Sequence, residues 1–223
     1  MTIIYSIVAT VLGVVVMAML AYPLSRPNYK YKKIATFFIF FTMLFSGGLI
    51  PTYIWITRYL HLGDTIWVYI LPCLVNAFHV IVIRSFFQGL PQALMESAKI
   101  DGASELQTFF KIVMPLSKPV IATISLLTLL SRWNDWNTAL IYIKSSNLYS
   151  LQYLLQKILR EAEFVKNMAD SSPVTGVDLD LSNLPSVTIR FAMCMVAAGP
   201  MLIIFPFFQK YFAKGLTVGA VKG

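Results

Sequence analysis

Apolar residues run without a charge through four stretches of this chain: Thr2–Ser25, Ile34–Thr57, Thr65–Ile83 and Phe191–Gln209. A helix of roughly 20 apolar residues crosses about 30 Å of hydrocarbon, so each stretch predicts a membrane span. A fifth lies between Lys118 and Arg132, where thirteen uncharged residues intervene. It spans if Lys118 snorkels inward and Arg132 sits at the outer rim, with Trp133 and Trp136 in the aromatic belt. The pattern predicts five spans and an all-α polytopic membrane protein, with residues 1–223 as one transmembrane domain. The Gly47-Gly48 pair and Pro51 interrupt the second span, and such breaks serve helix packing or kinking.

Two polar segments break the pattern. The first, residues 84–118, contains ESAKIDGASELQTFFKIVMPLSKP from Glu96. Pro91 suits the first position of a helix and Gly102 the residue just past its end. Ser104 begins a second helix as N-cap, with Gln107 completing an S-x-x-Q capping box. Leu106, Phe109, Phe110 and Val113 recur at i, i+3, i+4 and i+7 as one apolar stripe, and Pro115 and Pro119 close the element. A helix–glycine–helix between two spans is a docking device for a cytosolic partner.

The second polar segment, residues 144–185, opens with LYSLQYLLQKILREAEF. There Leu148, Leu151, Leu154, Leu155, Ile158 and Leu159 predict an amphipathic helix. The stretch from Lys166, with Pro173 and Gly176, reads as an irregular loop. A loop this long suits either a binding surface for an external protein or a connector.

Charge sets the orientation. The first connection, RPNYKYKK, carries Arg26, Lys30, Lys32 and Lys33 with no acid and is therefore expected in the cytoplasm. Alternation adds Arg84, Lys99, Lys111, Lys118, Lys210, Lys214 and Lys222 to that side, against Glu96, Asp101 and Glu105. The opposite side balances, so the formal net charge of +8 lies entirely on the cytoplasmic side. The basic excess thus reports topology and calls for no nucleic-acid partner. Met1 falls outside with no signal-peptide n-region before it, so a preceding span is expected. Composition agrees: 57% of residues are hydrophobic and 13% charged, half the usual charged share of a soluble domain.

Little of the remaining chemistry points to catalysis. The G-x-x-x-x-G-K-[ST] phosphate loop is absent. Cys73 and Cys194 sit isolated in apolar runs and read as small buried hydrophobes. His61 lies in an outer loop, and His79, near Asn76 in the third span, suits an interhelical hydrogen bond. The spans hold no buried acid or lysine of the kind that relays ions or protons in secondary transport. Uphill movement of a solute would therefore draw on another protein. The alternative from a different class, a membrane enzyme or scaffold, needs an intramembrane polar cluster that the sequence does not present.

The sequence Glu96-Ser97-Ala98-x-x-Asp101-Gly102-Ala103, followed by Phe109, Ile112, Pro115-Leu116 and Pro119, resembles the EAA signature of permease subunits of ATP-binding-cassette importers. Ser97 replaces the alanine of the family form. FQKYFAKGLTVGAVKG from Phe208, LAYPLSR at Leu20–Arg26, WNDW at Trp133–Trp136 and LYSLQYLLQ at Leu148–Gln156 resemble carbohydrate importers of the maltose-transporter type. The closest branch is that of complex oligosaccharides.

The resemblance implies a type I importer bundle in a bacterial cytoplasmic membrane, lacking the first of the family's six spans. It implies a second homologous permease, two cytosolic ATPases that hold ATP and Mg, and an extracytoplasmic solute-binding protein. No cofactor is expected on this chain. Glu96, Ser97, Ala98, Asp101, Gly102, Ala103, Ile112 and Pro115 are implied in ATPase coupling, with Pro91–Asp101 as the coupling helix. The cytoplasmic tail, residues 209–223, is implied to touch the ATPases through Lys214, Gly215 and Gly219. Sugars are bound by aromatic faces and amides, so Trp133, Asn134, Asp135, Trp136 and Asn137 are candidates for the solute path, as are Asn76 and Tyr69. A WNDW segment serving as belt and helix cap is the other reading. A related solute such as glycerol phosphate or a polyol is the alternative within transport.

Overall fold

The computed structural model describes residues 1–171 and 191–206, which form helices and their connections with no strand among them. Helix α1, Thr2–Ser25, matches the first predicted span residue for residue and is the axis of the fold. It packs along α5 (Ala77–Gln88) and α9 (Lys118–Trp133). Small residues allow that approach: Ala9, Ala18 and Ala21 are buried, and a Cβ on Gly13 would sit 3.2 Å from the Leu74 carbonyl oxygen. Close backbone contact of this kind drives association where lipid removes the hydrophobic incentive.

Two apolar cores lie along α1. In one, Val14, Met17, Ala18 and Ala21 meet Ile83 and Phe87 of α5 and Ile124 of α9. In the other, Tyr5 and Ala9 meet Ile56, Val68, Tyr69 and Ala139. The last turn of α1 is tied down by Arg84, whose Nε donates to the Leu24 carbonyl at 3.1 Å. A cation there also complements the helix dipole.

The second and third predicted spans are not single helices. Residues 32–59 form α2 (Lys32–Leu44) and α3 (Leu49–Ile54, continued as a π-turn to Tyr59), bent by 111°. Gly48 at φ +85° makes the bend, a left-handed conformation that glycine adopts at least cost. Residues 67–88 form α4 (Trp67–Ile70, tightening through Cys73) and α5, bent by 49°. Here Asn76 caps α5, its side chain accepting from the His79 amide at 3.1 Å. Hydrophobicity sees a continuous run in both places, whereas Gly48 and Asn76 end one helix and begin another.

The fifth stretch is one 16-residue helix, α9, which reaches span length only together with the preceding Glu105–Leu116, across a bend of 81°. Among the described residues one helix is long and apolar enough to span unbroken, and up to four spans arise if each bent pair counts once. The last predicted span is an apolar helix over its described part, Phe191–Pro206. His79 meets the expectation of an interhelical bond, its Nδ1 lying 3.4 Å from Thr128 Oγ1 of α9. The cysteines differ from expectation, since Cys73 is half-buried and Cys194 exposed.

Beside the N-terminus of α1, where the Leu151 amide donates to Thr2 Oγ1, α10 (Asn137–Tyr142) leads to α11 (Leu151–Ser171). The predicted amphipathic helix therefore begins three residues later than Leu148, which falls in a short 3-10 turn. It also continues through Lys166–Ser171, predicted as loop, because no helix breaker precedes Pro173. The rest of the predicted loop, 172–185, and the tail residues Lys214, Gly215 and Gly219 lie outside the described residues.

Candidate coupling groove and Asp64 clip

Helix α6 spans Ala93–Ile100, two residues later than Pro91 predicts. Pro91 and Gln92 instead form a tight lead-in, their carbonyls accepting from Leu94 and Met95. The end of α6 follows the prediction closely. Gly102 has φ +76°, the Ala103 amide donates to the Ala98 carbonyl at 2.9 Å, and the Gly102 amide donates to that of Lys99 at 3.1 Å. These two bonds are a Schellman motif with glycine at C′. Ser104 then caps α7 (Glu105–Thr108) in a complete capping box: the Gln107 amide donates to Ser104 Oγ at 3.2 Å and the Ser104 amide to Gln107 Oε1 at 2.9 Å.

The predicted apolar stripe on this second helix splits. The helix runs through a π-turn at Phe109–Val113 into α8 (Met114–Leu116). Phe109 and Val113 are buried, whereas Leu106 and Phe110 are 61% and 52% exposed. A π-turn adds a residue to one turn, so the 3.6-residue spacing no longer keeps the four on one face.

Helices α6 to α8 enclose a groove of about 540 Å³. Ser97, Ala98, Asp101, Ala103, Ile112 and Pro115 all line it, six of the eight residues implied in coupling. Ala98 is buried at 5% exposure and forms its floor. Ser97 is exposed and its hydroxyl donates back to the Leu94 carbonyl at 3.2 Å, which keeps it within the helix surface. Gly102 turns the chain at the groove's end. Glu96 lies apart, lining a second cavity on the other side of α6.

That second cavity holds residues the sequence reading passed over. Tyr22 Oη donates to Glu105 Oε2 at 2.7 Å, and Lys99 Nζ lies 3.5 Å from Glu105 Oε1. The tyrosine hydroxyl holds the Glu105 carboxyl below the usual carboxylate range, with Lys99 adding to the effect. No hydropathy or spacing signal links positions 83 residues apart.

The residues considered for a solute path divide. Tyr69 is 1% exposed, stacked on Tyr5 at 4.4 Å, and its hydroxyl donates to the Leu148 carbonyl. Trp133 is also buried, at 5%, and its Nε1 donates to the Ala197 carbonyl at 2.8 Å, so it ties two helices. Asp135 pairs with Arg132 at 3.7 Å, as the three-residue spacing predicts, and accepts from the Thr138 amide and hydroxyl as a helix cap. Asn76, Asn134 and Asn137 are exposed, while Trp136 is half-buried with Arg160 lying 5.4 Å over its ring. No metal-binding cluster occurs among the described residues.

Another unforeseen feature lies at the entry to α11. Asp64, at φ +56°, accepts from the Lys144 and Ser145 amides at 2.9 Å each and from Ser145 Oγ at 2.6 Å. Its own amide donates to the Tyr142 carbonyl at 2.9 Å. This clip fixes the chain that enters α11. The Ser145 hydroxyl and these amides hold the Asp64 carboxyl below its usual range. A depressed carboxylate stabilises above its unfolded value of about 4, and the contribution is lost as pH falls through the folded value. Asp64→Ala is therefore expected to speed amide exchange at Lys144 and Ser145 at neutral pH. The parent should show the same loss of protection only on acidification below about pH 4. Hydrogen-exchange mass spectrometry checks both.

Residues 2–218 match the family described as the binding-protein-dependent transport system inner membrane component. The chain is 40% identical over 224 residues to the polygalacturonan/rhamnogalacturonan transport system permease protein YtcP of Bacillus subtilis (strain 168), covering 98% of this chain and 74% of that protein. It is 42% identical to protein LplC of the same organism, covering 98% and 72%. Its identity to the B. subtilis arabinooligosaccharides transport system permease protein AraQ is 34%, covering 96% and 69%. Among solved structures, a bacterial ABC transporter involved in the import of the acidic polysaccharide alginate superposes with TM-score 0.78 at 29% identity, covering 95% of this chain and 72% of that one.

Proposed function

This chain belongs to the binding-protein-dependent transport system inner membrane components, and on that premise we propose that it is one permease subunit of an ATP-driven oligosaccharide importer. The chain is not an enzyme, since in this family ATP hydrolysis belongs to partner ATPases. Three relatives support the substrate class: their names specify polygalacturonan/rhamnogalacturonan, arabinooligosaccharides and alginate. The observation that carries the mechanism is the groove between α6 and α8, in which six residues of the helix–glycine–helix converge.

In this reading the groove takes a helix or loop of a cytosolic ATPase. Ala98 leaves room for close approach, Asp101 presents a carboxylate at the rim, and the Schellman turn at Gly102 fixes the angle of α6 to α7. Closure of two ATPases around ATP moves α6 as a rigid body. The buried Phe109 and Val113 transmit that motion to α1 and α5. A second permease completes the path, and Lys214, Gly215 and Gly219 of the tail add a further ATPase contact. On the outer face a solute-binding protein docks near α11, which the Asp64 clip positions. Asn76, Asn134, Asn137 and Trp136 are the path candidates whose side chains stay reachable.

The test is uptake by the complete complex in proteoliposomes with ATP inside and the binding protein outside. Oligogalacturonides and arabinooligosaccharides should be taken up, with glycerol 3-phosphate as the control. Uptake of oligosaccharide over control by at least about tenfold is expected, a difference near 1.4 kcal/mol in recognition. Equal uptake of the control would sink the substrate class.

A further inference from the structure

The cavity on the far side of α6 measures about 530 Å³ and lies where the last turn of α1 meets α6 and α7. Arg26 projects there with its guanidinium 4.2 Å from the centre of the Tyr22 ring. Its Nη1 is in contact with the Met95 sulfur. Its Nε and Nη2 are buried and have no acceptor among the described residues. Those two nitrogens form the side edge of the guanidinium, whose parallel N–H groups match two oxygens of a carboxylate or phosphate. A buried cation with that edge unpaired is costly, and an acceptor repays the cost.

The cavity's own acids do not supply it. Glu105 is engaged by Tyr22 at 2.7 Å and Lys99 at 3.5 Å, and Glu96 makes no ion pair among the described residues. Lys99 adds a second cation to the lining. The connection that follows, Arg26 to Lys33, carries four cations and no acid. The wall continues as apolar surface through Met19 and Leu106, 45% and 61% exposed. A basic pocket beside apolar surface at a span's end suits an anionic headgroup with its chain lying along the helix.

We propose that this cavity binds an oxyanion of the phosphate class on the Nε/Nη2 edge of Arg26, supplied by an anionic phospholipid of the leaflet on the chain's positively charged side. Met95 moves aside to admit it, being an unbranched side chain with three rotatable bonds. Binding here stands independently of the transported solute.

The experiment uses the full chain in its assembled complex, delipidated in detergent and titrated with short-chain phosphatidylglycerol, phosphatidylcholine or inorganic phosphate, with bound lipid read by native mass spectrometry. One saturable phosphatidylglycerol site is expected, absent for phosphatidylcholine. Arg26→Gln should weaken it about tenfold or more, the loss of a charge-assisted bidentate pair. Arg26→Lys keeps the cation near Tyr22 but loses the fork, and should weaken binding too. It carries the test if the glutamine variant fails to assemble. Lys33→Gln should bind within about twofold of the parent. Competition by millimolar phosphate at the same site would support the oxyanion site and name free phosphate as its source. Phosphatidylglycerol binding unchanged in both Arg26 variants, or equal phosphatidylcholine binding, would overturn the proposal.

Discussion

Replacing Gly102 with valine is expected to uncouple ATP hydrolysis from solute while the complex still assembles. Gly102 sits at φ +76°, yet a Cβ placed there meets no atom within 4 Å. The penalty is therefore purely one of backbone conformation. For a β-branched residue it is of order 1–3 kcal/mol. The chain relieves it by leaving the left-handed region, which breaks the Schellman bonds from Ala103 to Ala98 and from Gly102 to Lys99. The angle between α6 and α7, and with it the groove, is then lost. Binding-protein-stimulated ATPase activity should fall roughly five- to thirtyfold, the range that 1–2 kcal/mol spans. Asparagine tolerates this conformation better than other residues, so Gly102→Asn should keep most of the stimulation and Gly102→Ala should fall between. Equal activity across the series would remove the turn from the mechanism.

Truncating Trp133 to alanine should produce the largest loss of stability. The ring is buried and its Nε1 donates to the Ala197 carbonyl at 2.8 Å, joining α9 to the Phe191–Pro206 helix. Buried Trp-to-Ala changes cost about 3–5 kcal/mol. The lower end applies here, because lipid already shelters the ring in the separated helices. Trp133→Phe keeps most of the volume and loses the hydrogen bond, a loss of about 1 kcal/mol. Thermal unfolding in detergent should rank parent, phenylalanine and alanine in that order. An alanine variant as stable as the parent would mean that the two helices do not depend on this contact.

The sequence made the polar turn more legible than the spans. The capping box at Ser104 and Gln107, and glycine at C′ in position 102, are local rules satisfied by neighbours in the chain. So is the Arg132–Asp135 pair. The glycine pair at 47–48 marked the break in the second span, but hydropathy integrates over some twenty residues and passes through Asn76, where a single residue ends one helix and starts the next. It likewise gave no sign that Trp133 packs against the Phe191–Pro206 helix. Long-range contacts left no trace at all. Asp64 reaches Ser145 across 81 positions and Tyr22 reaches Glu105 across 83, and in neither case does the spacing announce a partner. The convergence of Ser97 and Ala98 with Ile112 and Pro115 depends on the same kind of information, because the glycine turn brings together residues that the motif only marks.

The central claim is that the α6–α8 groove is where this permease meets its ATPase. Ser97 is exposed, lines the groove and donates only to its own helix, so it tolerates a probe. Ser97→Cys carrying a short photo-cross-linker, in the assembled complex in membranes, should form an adduct with the ATPase subunit. The same probe at Tyr59, 70% exposed on the α3 π-turn, should not. An ATPase adduct from Tyr59 and none from Ser97 would contradict the account.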